Sequence, residues 1–279
     1  SPLRMTPDTT PLLAFGITGA LTGLLGSLLG LGGGVFLVPI LALGFHLSPR
    51  TAVAASLVAV IASSSATTIV NMRRSLVNVP LAFTLLLATT LGGLAGGALA
   101  EHISTRALFT IFSATLFAVA IIVTSRSRVR NVIDDDAMNV GTLGGRVVEE
   151  GRTLSYLMKR LPLALGVSLV AGAISGLLGV GGGFIQVPVL NSFCGIPIRV
   201  AAATSAFMIG PTAAVSAIIY LGRGDMDPFI TAAVALGSLP GSVFGAWLSR
   251  HMHVRSIKGV LATTLVLVAV RLAIAAFNL

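Results

Sequence analysis

Two stretches of this chain carry the same uncommon run of residues. Residues 28–41 read LLGLGGGVFLVPIL and residues 177–190 read LLGVGGGFIQVPVL, with nine of the 14 aligned pairs identical. Three consecutive glycines (Gly32, Gly33, Gly34 and Gly181, Gly182, Gly183) give a helix little reason to continue. A short apolar segment follows each triplet, Val35–Leu43 and Phe184–Leu190. The first N–H groups of such a segment have no partner within the helix and carry the positive end of its dipole. With no Cβ in the way, an oxyanion can approach that backbone closely. The chemistry on offer is capture of an anion by main-chain donors. Pro39 and Pro188 then limit or kink the short helices.

Further polar groups accompany the triplets. Ser56 and Ser205 occupy equivalent places, Thr204 precedes Ser205, and Gln186 lies two residues before Pro188. These hydroxyls and this amide are candidates to line a substrate site, although a hydroxyl in a helix also bonds its own backbone. Arg50 and Arg199 begin the next helices at equivalent positions. A guanidinium suits bidentate oxyanion capture, and snorkelling at a membrane interface is its commoner use. His102, His251 and His253 lack a buried carboxylate or thiolate beside them and read as interfacial loop residues, not a metal site. Cys194 stands alone, so there is no internal disulfide and no thiolate metal cluster. A dinucleotide fingerprint fails because the third glycine of GxGxxG is missing after Gly30-Leu31-Gly32. No cofactor is called for.

What positions these groups follows from composition. The 279 residues are 55% hydrophobic and only 10% charged, against about 25% charged in soluble domains. That excludes a soluble enzyme, a nucleic-acid binder and a disordered chain. The net charge of +9 lies between long apolar runs, so it does not signal nucleic acid; the partner is a lipid bilayer. Charge-free runs cover 9–49 and 51–72, then roughly 80–100, 107–125, 161–198, 200–222, 228–249 and 259–270. A signal peptide is a poor reading of the first run, because further spans follow it.

The repeat extends well past the glycines. A constant offset of 149 (Gly30 to Gly179) also pairs Arg74 with Arg223, Gly92 with Gly241, Gly96 with Gly245 and Arg106 with Arg255. The chain is a tandem duplication: a tail over 1–10, a first repeat over 11–125, a polar linker over 126–160 and a second repeat over 161–279. The linker is expected to be an aqueous, cytoplasmic loop with a short helix. Gly92, Gly93, Gly96 and Gly97 fit small-residue helix packing.

Each half opens with a run too long for one span: 12–45 would make a helix of about 51 Å against a core of about 30 Å. Either the run is one tilted, broken span and the repeats are parallel, or it is a hairpin turning at the glycines and the repeats are inverted. Counting Lys and Arg favours inversion, with 13 on the inner side and four outside, against 11 and six for the parallel arrangement. The expectation is an all-α polytopic membrane protein of two homologous, inverted repeats. Each contributes a Gly-interrupted helical hairpin plus three further transmembrane helices.

No Asp or Glu lies inside any span. Many proton- or sodium-coupled transporters carry a buried acid, so this pattern favours uncoupled anion efflux, in which each charge leaving a negative cytoplasm gains about 2.3 kcal/mol per 100 mV.

The repeated L-L-G-[LV]-G-G-G-x-x-x-V-P-[IV]-L, each copy followed by Arg-x-Ala-x-Ala-x-Ser (Arg50–Ser56, Arg199–Ser205), resembles the sulfite exporter TauE/SafE family of membrane proteins. The resemblance covers nearly the whole chain apart from a longer linker. It implies export of sulfite, sulfoacetate or other organosulfonates across the cytoplasmic (inner) membrane. The motif residues it carries over are Gly32, Gly33, Gly34, Pro39 and Ser56, with Gly181, Gly182, Gly183, Pro188 and Ser205. Leu37 in the first copy stands where the second has Gln186, which makes the two halves of the site chemically unequal. The leading expectation is a secondary transporter, not an enzyme, with its site at the midplane between the repeats and with room for a homodimer. An anion channel of the same fold and a proton- or sodium-coupled carrier of small organic anions are the alternatives.

Overall fold

A computed structural model describes residues 9–125, 142–149, 152–249, 251–252 and 254–277. The tail up to residue 8, the linker over 126–141 and His253 lie outside these. In the first half α1 (Thr9–Leu29) ends at the glycines. Next come α2 (Gly34–Pro39), a π-helical turn (Ile40–Gly44), α3 (Pro49–Met72), α4 (Val79–Leu99) and α5 (Thr105–Ser125). The second half repeats the series as α6 (Leu161–Leu178), α7 (Gly183–Ser192), α8 (Ile198–Gly222), α9 (Pro228–Leu248) and α10 (Val254–Phe277).

Each long apolar run is a hairpin. The chain turns back at the glycines far enough for the Phe45 ring to lie 4.6 Å from that of Phe15. In the second half the Lys159 N–H, ahead of α6, donates to the Cys194 carbonyl beyond α7 at 2.8 Å. Pro39 closes α2 and the backbone passes into the wider π turn, since proline supplies no N–H to continue the α pattern. Pro188 behaves differently from expectation: it sits inside α7, which runs on to Ser192 without a break.

Helix starts follow the sequence. Ser48 Oγ accepts from the Thr51 N–H with Pro49 in the first turn of α3, Asn78 Oδ1 accepts from Leu81 ahead of α4, and Asp227 Oδ1 accepts from Phe229 and Ile230 ahead of α9. Among the described residues seven helices (α1, α3, α4, α5, α6, α8 and α9) are long and apolar enough to cross a membrane. Leu13, Ile17 and Leu21 of α1 point outward, 65%, 61% and 59% exposed, while Ser56, Thr204, Ser205 and Ser216 are fully buried. Apolar outside with hydroxyls inside is the distribution that a lipid solvent selects. The chain is an all-α, multi-pass membrane protein.

The halves exchange partners: α1 packs on α9 and α6 on α4. Glycines permit both contacts. A Cβ on Gly96 would overlap the Ala173 carbonyl, and one on its counterpart Gly245 would overlap that of Leu24, the counterpart of Ala173. Gly92 and Gly241 repeat the pattern against Leu169 and Ala20.

Counterparts α3 and α8 pack together and run antiparallel. Arg50 at the start of α3 and Arg223 past the end of α8 both bond the end of α4, through the Glu101 carbonyl at 3.2 Å and the Gly97 carbonyl at 3.0 Å. At the opposite end Arg74 donates to the Ala246 carbonyl at 3.0 Å and Arg199 to that of Met252 at 2.9 Å. The linker reaches this second end. Its described part is not the short helix expected but a hairpin of β1 (Gly145–Glu149) and β2 (Arg152–Tyr156), with Gly145 opposite Tyr156. The Val147-Val148 pair is β-branched, Thr-Leu-Ser-Tyr alternates polar and apolar as a strand does, and Val147 and Tyr156 are buried. Asn78 holds the hairpin by donating to the Leu143 carbonyl at 3.0 Å and to the Tyr156 hydroxyl at 3.2 Å. Burial raises the Tyr156 phenol above its ordinary pKa, and the Asn78 bond partly opposes it.

Candidate functional site

The two glycine loops lie side by side and antiparallel at the middle of the molecule. A Cβ on Gly183 would stand 2.6 Å from the Gly30 carbonyl, and one on Gly34 would overlap the Gly179 carbonyl, the counterpart of Gly30. Gly30, Gly32 and Gly33 have φ of 72°, 82° and 80°, and Gly179, Gly181 and Gly182 have 68°, 81° and 68°. These six are required by left-handed backbone; Gly34 and Gly183 are required by the approach of the other repeat. Val60 of α3 and Ile209 of α8, themselves counterparts, close over both loops and lie against Gly32 and Gly181 alike. Every residue from Gly26 to Pro39 and from Ser175 to Ser192 is buried, so the crossing is sealed.

Polar groups converge there. Ser56 Oγ donates to the Gly179 carbonyl at 2.7 Å, joining one repeat to the other's loop, and Ser63 Oγ donates to the Gly32 carbonyl at 3.0 Å. Ser205, the counterpart of Ser56, instead donates to Gln186 Oε1 at 3.0 Å. Leu37 offers no such acceptor in the first repeat, so the serines take different partners. Each short helix closes its first turn on the middle glycine of its triplet: Phe36 and Leu37 bond the Gly33 carbonyl, Ile185 and Gln186 that of Gly182. The N–H groups of Gly32, Gly33, Gly34 and Val35, and of Gly181, Gly182, Gly183 and Phe184, bond no acceptor among the described residues. The buried Ser175 hydroxyl likewise has no partner there, and its Cβ is 3.5 Å from where a Gly182 Cβ would be. Among the described residues no carboxylate bonds to either loop.

Other expected site residues lie elsewhere. Thr204 Oγ1 accepts from the Asn78 N–H at 3.0 Å and so serves the linker end. Arg50 and Arg199 do not reach the crossing; each lines a pocket at one end. The pocket at the linker end includes Ser27, Asn71, Arg74, Arg199 and Ser249. Its counterpart at the far end, about 230 Å³, includes Arg50, Ala100, Glu101, Tyr220, Arg223 and Asp225. Arg74 and Arg223 were visible in the sequence only as an in-register pair; nothing in their spacing placed them beside Arg199 and Arg50, because that proximity comes from helices of the other repeat. Val60 and Ile209 gave no signal, being ordinary residues of an apolar helix.

Broken hairpins crossing at a sealed centre, with a pocket holding two arginines towards either end, make this a polytopic helical membrane protein. A family model for the sulfite exporter TauE/SafE proteins matches residues 15–272, and the chain belongs to that family. It is similar to the probable membrane transporter protein YunE of Bacillus subtilis, 22% identical over 92% of this chain and 95% of that protein. A shorter match, 41% identical over 26% of this chain and 17% of the relative, is to the sulfite exporter TauE/SafE family protein 6 of Arabidopsis thaliana. Another, 29% identical over 46% of this chain and 20% of the relative, is to the probable membrane transporter protein MamO of Magnetospirillum gryphiswaldense. No solved structure gives a significant match.

Proposed function

We propose that this protein exports a small sulfur-containing anion, sulfite or a short organosulfonate, across the cytoplasmic membrane as an uncoupled carrier. The observation that carries this reading is the set of main-chain donors at the crossing, Gly32 to Val35 and Gly181 to Phe184, with no carboxylate among them. A buried N–H left without an acceptor costs about 1–3 kcal/mol, and an oxyanion between the loops would answer several at once. At the second loop the unpartnered Ser175 hydroxyl and the Gln186 amide, whose Oε1 is held by Ser205, add side-chain donors. The first loop has only Ser56 and Ser63, both already bonded to glycine carbonyls.

The antiparallel α3 and α8 support inverted repeats, and the linker end, where Arg73, Arg74 and Arg199 lie beside the described part of the linker, would face the cytoplasm. The sealed crossing then lies between an inner pocket at Arg74 and Arg199 and an outer one at Arg50 and Arg223. Rocking of the halves would expose the loops to one pocket at a time. A closed centre favours a carrier over a channel.

The test is counterflow in proteoliposomes loaded with unlabelled sulfite or methanesulfonate. A carrier accumulates labelled anion transiently against its gradient and saturates. Flux that rises linearly with concentration and shows no counterflow would establish the channel instead.

A further inference from the structure

The two end pockets occupy the same frame and differ in charge. At the linker end the described lining is basic and neutral. At the far end two carboxylates, Glu101 and Asp225, join two guanidinium groups. The offset of 149 shows how the difference arose: Glu101 stands where the second repeat has Arg250, and Asp225 where the first has Leu76. Arg223 is pinned at several points. Its Nη1 donates to the Gly97 carbonyl at 3.0 Å and its Nη2 to that of Ala98 at 3.2 Å, while Nη2 also lies 3.3 Å from Glu101 Oε2. Its guanidinium carbon is 5.8 Å from the centre of the Tyr220 ring. Arg50 donates to the main chain of Glu101 itself, so both cations are gathered around one acidic residue.

We propose that the far-end pocket is an anion site on the exit path, in which the Glu101 carboxylate competes with the passing oxyanion for Arg223 and Arg50. The direction of passage rests on the transport reading above; the site itself does not. The cavity of about 230 Å³ exceeds the roughly 30 Å³ share of one water several-fold, which leaves room for a tetrahedral or pyramidal oxyanion with its waters. Glu101 is well exposed and Arg223 partly so, 59% and 23%, and an ion pair so placed is held weakly enough to be displaced. The guanidinium thus keeps donors beyond those bonded to Gly97 and Ala98 for an oxyanion and carries its own displaceable anion. Such a site accepts the substrate and releases it quickly, where an unopposed pair of arginines would retain it.

Equilibrium binding of radiolabelled sulfate to the full chain tests this, in nanodiscs of phosphatidylcholine alone and with added phosphatidylglycerol. Glu101→Gln should tighten sulfate binding about ten-fold over the unaltered chain in both lipids, and the double variant Glu101→Gln/Arg223→Gln should lose that gain. Unchanged or weaker binding in Glu101→Gln, or a gain that survives loss of Arg223, overturns the proposal. So does a gain abolished by phosphatidylglycerol, which would assign the pocket to a lipid headgroup. Should Glu101→Gln not purify as a monodisperse protein, sulfate protection of Arg223 from phenylglyoxal in the unaltered chain decides: protection supports the site and its absence refutes it. Failure of the transport reading would show as absent sulfite flux in the unaltered chain, with this binding result still obtained.

Discussion

The centre of the molecule and its two ends treat the same duplication differently. At the crossing the repeats are near copies: left-handed glycines recur at Gly30, Gly32, Gly33 and at Gly179, Gly181, Gly182, and Val60 and Ile209 contact both loops. At the ends the frame is kept, with Arg50 matching Arg199 and Arg74 matching Arg223, while the charges around it diverge. Backbone that must pass within contact of its own copy tolerates no side chain, so drift there is closed off. A pocket wall needs only a fold behind it, and its side chains can take on direction. Gln186 is the exception that joins the two regimes: a side-chain difference placed within the symmetric centre.

The largest effect should come from breaking the centre's geometry. Gly183→Val puts atoms onto the Gly30 carbonyl and the Ile209 side chain, both 2.6 Å from the Cβ position, with no backbone strain at that residue to confuse the outcome. Overpacking of this kind costs about 1–3 kcal/mol or more, and the fraction of monodisperse protein after detergent extraction should collapse. Gly96→Leu, which drives a side chain into the Ala173 carbonyl on α6, should do the same without touching the loops.

Erasing the centre's one chemical difference comes next. Gln186→Leu gives the second loop the residue of the first and removes the acceptor of Ser205. Anion flux should fall about ten-fold, equivalent to roughly 1.4 kcal/mol, with the thermal midpoint nearly unchanged. Equal flux would mean that the asymmetry at 37 and 186 carries no function.

Smaller effects belong to the linker end. Tyr156→Phe removes a hydroxyl that accepts from Asn78, and about 0.5–1.5 kcal/mol of stability should go with it, read as a modest drop in the unfolding midpoint. Cys194, buried between α7 and α8, has its thiol pushed up to about 11 by burial, with Arg160 partly opposing. The raised value means little thiolate at neutral pH. Maleimide should leave the folded protein unlabelled at pH 7 and label it completely after unfolding in detergent.

Much of this architecture is legible in the sequence because membranes make apolar length and charge placement informative, and because a duplication can be checked against itself. The hairpins, the three helices after each, and the packing role of Gly92 and Gly96 follow from those rules. What was not legible depends on which helices meet. The equivalent positions and the chemistry of Arg50 and Arg199 suggest a place beside the triplets, yet their helices begin at the ends, where Arg50 bonds the Glu101 carbonyl and Arg199 that of Met252. Thr204 was grouped with Ser205, and its hydroxyl turns to Asn78. Pro188 was expected to break a helix that neighbouring packing holds intact. The hairpin over 145–156 was hidden in a charged linker whose alternation is only a few residues long.

The central claim is that an oxyanion crosses between the two glycine loops, driven by membrane potential alone. Uptake of radiolabelled sulfite and methanesulfonate into proteoliposomes, with an imposed potential and with or without a pH gradient, tests it most directly. Saturable uptake that follows the potential, is indifferent to the pH gradient and falls about ten-fold in Gln186→Leu is the predicted result. Uptake that requires the pH gradient, or that is unaffected by Gln186→Leu, would contradict it.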